Sequence, residues 1–199
     1  MGRRSDHSRD ELYAMALEAA QDIAEEDGLR GLTTRRIAQE IGYTVGTLYN
    51  MFENLDDLIL RLNGTTLDAL YDACSQAQLD DEPEASVRAL SQCYIQFIRD
   101  HPKRWSILFE HHLPDGVDLP EWHDAKIMRL LGLLERALAP LFAPGQETEA
   151  HHSARVLWSS LYGICALESA DKLGKIVTVE ALSDSLITNY LAGLRARFA

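Results

Sequence analysis

Apolar positions recur along the chain at steps of three and four, the period of an amphipathic helix, almost without a break. Leu12, Ala16, Ala19 and Ile23 form the first such stripe. Ser8 stands before it with Glu11 three residues on, the spacing of a capping box, and Gly28 ends it. Thr33 is placed to cap a second, short helix in which Ile37 and Ile41 lie one turn apart and Gly42 stops the run. Tyr43 and Thr44 make a very short connection, and Val45 to Phe52 reads as a third helix with Leu48 and Phe52 on one face. Ala38 is small where that helix must cross. Asn54 caps a fourth helix expected to run to about Leu79, with Asp56 and Asp57 in its first turn, where negative charge suits the helix dipole. Prolines and glycines then divide the rest into helices near 84–100, 102–113, 120–142, 147–172 and 179–198. No sustained alternation with hairpin turn signals suggests a strand. The expected fold class is all-α: a three-helix head over residues 1–53 and a larger helical body over 54–199.

Two short helices joined by a Gly-containing turn match the helix-turn-helix unit. In that unit the N-terminal residues of the second helix meet base edges in the major groove. Here they are Thr44, Val45, Gly46 and Thr47, with Asn50 one turn on. A threonine hydroxyl serves bases or phosphates, and a Thr or Val methyl can touch a thymine methyl. Gly46 admits close backbone approach, and Tyr49 is placed to lay its ring on the DNA backbone. Thr33, Thr34, Arg35 and Arg36 open the preceding helix, where phosphate contact is expected. Arg3, Arg4 and Arg9 read as a basic arm.

Charge complicates that picture. The 199 residues carry 19 Lys and Arg against 31 Asp and Glu, a net −12. All four lysines lie beyond residue 102, so every cation up to residue 60 is an arginine. That balance excludes a protein that coats nucleic acid and leaves room for a local site.

Residues 28–58, GLRGLTTRRIAQEIGYTVGTLYNMFENLDDL, closely resemble the TetR/AcrR family of bacterial transcriptional regulators. Gly31, Thr33, Ile37, Ala38, Gly42, Gly46, Thr47, Leu48, Tyr49, Phe52 and Leu58 carry the match. The resemblance implies a homodimer whose two heads bind half-sites of a near-palindromic, double-stranded operator. It implies a body with a small-molecule pocket, ligand binding releasing the DNA. The family usually carries Lys near the acid pair that opens the fourth helix; here Leu55 stands in that place. The acidic head and Leu55 favour a second reading, a small-molecule or protein-binding module on the same fold with weakened DNA binding.

The body holds no comparable motif. Residues 156–167 mix Ser159, Ser160, Gly163 and Ala166 with large apolar side chains, and Leu182, Leu186, Tyr190 and Leu194 recur every four residues. The resemblance places dimerisation through these last two helices. Candidate ligand contacts are the clustered Tyr94, Phe97, Trp105, Phe109, His112, Trp122, Trp158 and Tyr162. Trp105, Phe109 and His112 have the spacing of one helical face. The same side chains also read as plain core.

Cys74, Cys93 and Cys165 form neither a CxxC pair nor an even set, so no disulfide framework and no cysteine zinc site is suggested; Cys93 and Cys165 read as inert core. His111-His112 and His151-His152 are adjacent rather than one turn apart, so no metal site is expected, and no cofactor. Enzyme signatures are absent, and the acid pairs Glu25-Glu26 and Asp80-Asp81 read as solvated helix ends. No apolar run approaches the roughly 18 residues of a membrane-spanning helix. The chain reads as a cytoplasmic transcriptional regulator, more a repressor than an activator, and not an enzyme.

Overall fold

The computed structural model describes residues 7–77, 82–174 and 176–198. Among them the chain is helical without strands. The helices are α1 (Arg9–Asp27), α2 (Thr34–Glu40), α3 (Val45–Tyr49), α4 (Leu55–Ser75), α5 (Pro83–Asp100), α6 (Pro102–Glu110), α7 (Glu121–Leu138), α8 (Glu147–Ser169) and α9 (Val179–Phe198). The all-α expectation is met. Arg3, Arg4, Leu79, Asp80 and Asp81 lie outside the described residues.

The caps explain why the head's helices start and stop where they do. The Ser8 Oγ accepts from the Glu11 amide at 3.2 Å, and the Glu11 carboxylate accepts from the Ser8 amide at 2.6 Å. That contact holds the Glu11 carboxyl below the usual carboxylate range. Gly28 ends α1 at φ 66°, its N–H donating to the Ala24 carbonyl. A single 3₁₀ turn, Leu29–Gly31, which periodicity could not anticipate, carries the chain to α2. A Cβ on Gly31 would lie 2.6 Å from the Asp27 Cβ, so glycine is what allows this close return. Gly42 is left-handed at φ 74°. The Gly42 and Tyr43 amides donate to the Gln39 and Ala38 carbonyls, the Schellman closure that turns the chain from α2 into α3.

Several ends fall short of expectation. α3 stops at Tyr49 rather than Phe52 because the Asn50 and Met51 amides turn back to the Thr47 and Leu48 carbonyls three residues earlier. α6 stops at Glu110, where His111 takes an extended conformation. α7 gives way to a 3₁₀ turn at Ala139–Leu141, with Pro140 in it. α8 ends at Ser169, two residues before Asp171 at φ 54°.

Packing divides the chain into two compact units: Met1–Thr66 with His101–His123, and Leu67–Asp100 with Asp124–Ala199. These units follow contact, and α6 joins the first of them because it packs on α1. The core of the first unit joins α1 (Ala16, Ala20, Ile23), α2 (Ile37, Ala38), α3 (Leu48), Phe52, α4 (Leu58, Leu62) and Ile107 of α6. Tyr13 stacks on Phe52 with ring centroids 5.0 Å apart.

In the second unit α5, α8 and α9 pack together. α5 buries Val87, Leu90, Tyr94 and Phe97, and small serines (Ser86, Ser153, Ser183) sit buried among the larger side chains. Arg99 bridges Glu180 of α9 at 2.5 Å and Glu168 of α8 at 3.2 Å, holding the Glu180 carboxyl below its ordinary range. Cys74 and Cys165 are the buried cysteines, their thiols pushed up to about 12 by burial, which makes both inert. Cys93, expected in the core, is only half-buried.

Candidate nucleic-acid interface

The first unit builds one polar surface around α3. Leu48, 1% exposed, pins that helix to the core, with half-buried Val45 and Met51 beside it. Within the five residues of α3 this inward anchor leaves Gly46 and Tyr49 facing solvent and Thr47 half-buried. Tyr49 is 54% exposed, and Thr44, Gly46 and Asn50 are exposed as well. Thr44 precedes the helix in the N-cap position without capping an amide. Its hydroxyl instead meets the Thr47 hydroxyl at 3.1 Å. One of the two donates to the other, so the pair keeps one outward donor and free lone pairs at the start of the helix. A Cβ on Gly46 would meet nothing closer than the Thr44 Oγ1 at 3.7 Å. Packing therefore does not require glycine there, and its bare backbone is a surface feature.

The α2 start is more committed to the fold. The Thr33 hydroxyl accepts from the Arg36 amide at 3.2 Å, an ordinary N-cap. Thr34 is half-buried and Arg35 is exposed. The Arg36 guanidinium donates to Glu26 at 2.6 Å and also to Asp27, which clips α2 to the end of α1. Both acids reinforce the Arg36 charge.

Glu25 and Glu26, expected as a solvated helix end, are thus both engaged. Glu25 meets the His101 ring at 3.0 Å, and the Lys103 ammonium donates to the Glu26 carbonyl. His111 also reaches Asp56, at 2.9 Å. Sequence reasoning missed these contacts of α6 and its flanking histidines, since residues 55 to 77 positions apart carry no shared pattern. It missed the 2.8 Å contact of His7 with the Tyr43 hydroxyl for the same reason.

Leu55 packs half-buried against the head's core. Asn54 caps α4 by accepting from the Asp57 amide at 2.9 Å, and the Asp57 carboxylate accepts from the Glu53 amide at 3.1 Å.

Two family models match this chain. Residues 16–62 match bacterial regulatory proteins of the tetR family, and residues 87–190 match the tetracyclin repressor-like C-terminal domain. The chain belongs to the TetR family. It is a transcriptional regulator with a helix-turn-helix DNA-binding domain followed by a helical body. An uncharacterised HTH-type transcriptional regulator of Mycobacterium tuberculosis is 25% identical over 182 residues, covering 91% of this chain and 80% of that protein. One from Bacillus subtilis is 23% identical, with 90% and 91% covered. Among solved structures, a TetR transcriptional regulator from Rhodococcus sp. RHA1 superposes with a TM-score of 0.69 at 15% identity, over 96% of this chain and all of that one. A protein of unknown function from the same organism reaches 0.76 at 20%, over 98% and 100%. At such identities these structures speak to fold.

The eight residues read from sequence as ligand contacts of this TetR-family body fall in both compact units. Trp105, Phe109, His112 and Trp122 are in the first, and Tyr94, Phe97, Trp158 and Tyr162 in the second. Trp105 is buried with its ring centroid 5.1 Å from that of Phe109. His112 does not share their face: it lies past the end of α6, exposed, and its ring contacts the Glu110 carbonyl at 2.8 Å. Arg61 lies over the Trp122 ring at 5.6 Å. Trp158 and Tyr162 are half-buried neighbours on α8, 6.4 Å between centroids. An open cleft of about 540 Å³ lies between α7 and α8, lined by Met128, Glu135, His151, His152 and Arg155. There Glu135 takes His151 at 2.6 Å and Arg155 at 3.4 Å. Among the described residues no three His, Cys, Asp or Glu side chains converge as a metal site, and no helix is long and apolar enough to cross a membrane.

Proposed function

We propose that this regulator is a homodimeric, ligand-released repressor that acts in the cytoplasm. The hydroxyl pair of exposed Thr44 and half-buried Thr47 at the start of an inwardly pinned α3 carries the DNA-reading part. Thr44, Val45, Gly46 and Thr47 face base edges, with Asn50 one turn on. Thr33, Thr34, Arg35 and Tyr49 serve phosphates. Arg36 would have to leave Glu26 and Asp27 to reach a phosphate, so its first role is to set α2 on α1. The head is residues 1–53 and the sensing and dimerising body residues 54–199.

Dimerisation through α8 and α9 is supported by their second faces. α9 buries Val179, Ser183, Ile187, Leu191 and Leu194, yet Leu182, Leu186 and Tyr190 remain half-exposed. On the adjoining part of the second unit Leu167, Ile176 and Val177 are exposed. A chain that leaves that much aliphatic surface wet has a partner surface to cover it. Two heads on adjacent half-sites need a separation of about 34–36 Å, one helical turn of DNA. A ligand releases DNA only by binding another separation more tightly.

The test is fluorescence anisotropy of the full chain with the duplex flanking its own gene, beside a scrambled duplex, at two salt concentrations. Selective binding that weakens with salt is expected. Equal, weak binding to both, followed by failure of a random-sequence selection, overturns the repressor reading and leaves the binding module that Leu55 and the acidic head suggest.

A further inference from the structure

Arg104 on α6 is 5% exposed, and its surroundings do little for its charge. Its Nε donates to the Thr66 hydroxyl at 3.3 Å, and a terminal nitrogen lies 3.8 Å from Glu25, beyond a hydrogen bond. Glu25 is turned to His101 at 3.0 Å and is itself one-third exposed. Burial accordingly lowers the Arg104 pKa, with only Glu25 acting against it. A guanidinium presents five donors in a planar fork suited to a carboxylate, and a buried one left with a weak hydroxyl contact and a distant acid is underserved.

A second observation stands on the facing helix. Asn63 of α4 is 3% exposed, and its side-chain oxygen has no hydrogen-bond partner. It lies three residues before Thr66, on the same face of α4. Thr66, 1% exposed, spends its hydroxyl proton on the Leu62 carbonyl at 3.2 Å. α4 therefore turns a stripe of two buried polar residues to the region of Arg104, and one end of the stripe is unsatisfied. Buried polar groups are ordinarily paired, so such a gap points to a missing partner. Turning the Asn63 amide over exchanges its orphan acceptor for two N–H donors.

We infer that Arg104, Asn63 and Thr66 form the polar end of the effector site, and that the effector is an apolar molecule bearing a carboxylate. The carboxylate accepts from the Arg104 fork and from the Asn63 amide, while the apolar remainder lies toward buried Trp105. Glu25 and the effector then compete for one guanidinium. Because Glu25 belongs to α1 and Arg104 to α6, the effector acts on the contact between those helices. This assignment rests on the ligand-released reading above and names the ligand class of that body.

The test is calorimetric titration of the full chain with straight-chain acids from butanoate to dodecanoate and with phenylacetate to phenylbutyrate, each beside its primary amide. At least one acid is expected to bind about tenfold more tightly than its amide, the margin a charge-assisted contact supplies. Arg104→Gln should bring acid and amide to parity. Glu25→Gln, which removes the competing acceptor, should tighten the acid at least twofold, an effect of opposite sign that a strut between helices would not produce. If Arg104→Gln fails to fold, Glu25→Gln decides alone. Acids that bind no better than amides across the series, an acid preference that survives Arg104→Gln, or unchanged or weakened acid binding in Glu25→Gln overturns the assignment. DNA release followed alongside separates the two readings. Acids that bind through Arg104 without releasing DNA keep the site and remove ligand-released repression. Amides that release DNA where acids do not keep that repression and remove the site.

Discussion

α3 in the head and α9 in the body are both one-sided helices, yet they leave opposite groups to solvent. α3 spends Leu48 on the core and presents Thr44, Gly46, Tyr49 and Asn50. α9 spends an entire stripe on the core and still holds Leu182, Leu186 and Tyr190 half out. The first surface offers hydroxyls, an amide and bare backbone at a helix start, groups matched to a polar, anionic partner. The second offers aliphatic area with small residues near it on α8, which fits another protein surface. Burial says how each helix is held, and what remains outside says what it meets.

The largest effect expected is on stability inside the head. Leu48→Ala should cost about 2–5 kcal/mol, as for other fully buried leucines, read from denaturant melts. A loss near the surface value, under about 0.5 kcal/mol, would mean that α3 is not pinned as described. Leu186→Arg tests the other helix. It should turn the dimer into a monomer by light scattering and weaken operator binding by about a hundredfold, near 2.7 kcal/mol. A variant that stays dimeric removes α9 from the interface.

Tyr49→Ala should leave the melting temperature within a degree or two and reduce operator affinity by about tenfold. A stability loss instead would move Tyr49 from surface to core. The smallest effect separates the neighbouring arginines. Arg35→Ala should flatten the logarithmic salt dependence of binding by about one. Arg36→Ala should leave that slope unchanged and lower the melting temperature only slightly, as expected for a solvent-screened ion pair. Equal slopes for the two variants would return Arg36 to phosphate duty.

Much of the head was legible because its determinants are local. The Ser8 and Glu11 box, the Thr33 cap and the Gly28 and Gly42 stops each act within a few residues, and each stands where the spacing placed it. Helix ends set by competing turns were not legible. Three-residue hydrogen bonds shorten α3 at Tyr49, and an extended His111 shortens α6, which moved His112 off the aromatic face.

Sequence by itself determined the all-helical class and the helix-turn-helix. Period, caps and turn glycines are properties of neighbours along the chain, so no fold is needed to read them. Tertiary structure decided the rest: that Arg36 is held by Glu26 and Asp27, that Arg104 is buried with little to neutralise it, and that α9 has one face more than its own unit covers. Charge pairing and burial depend on which distant segments meet, and a pattern along one helix carries no information about what lies across from it.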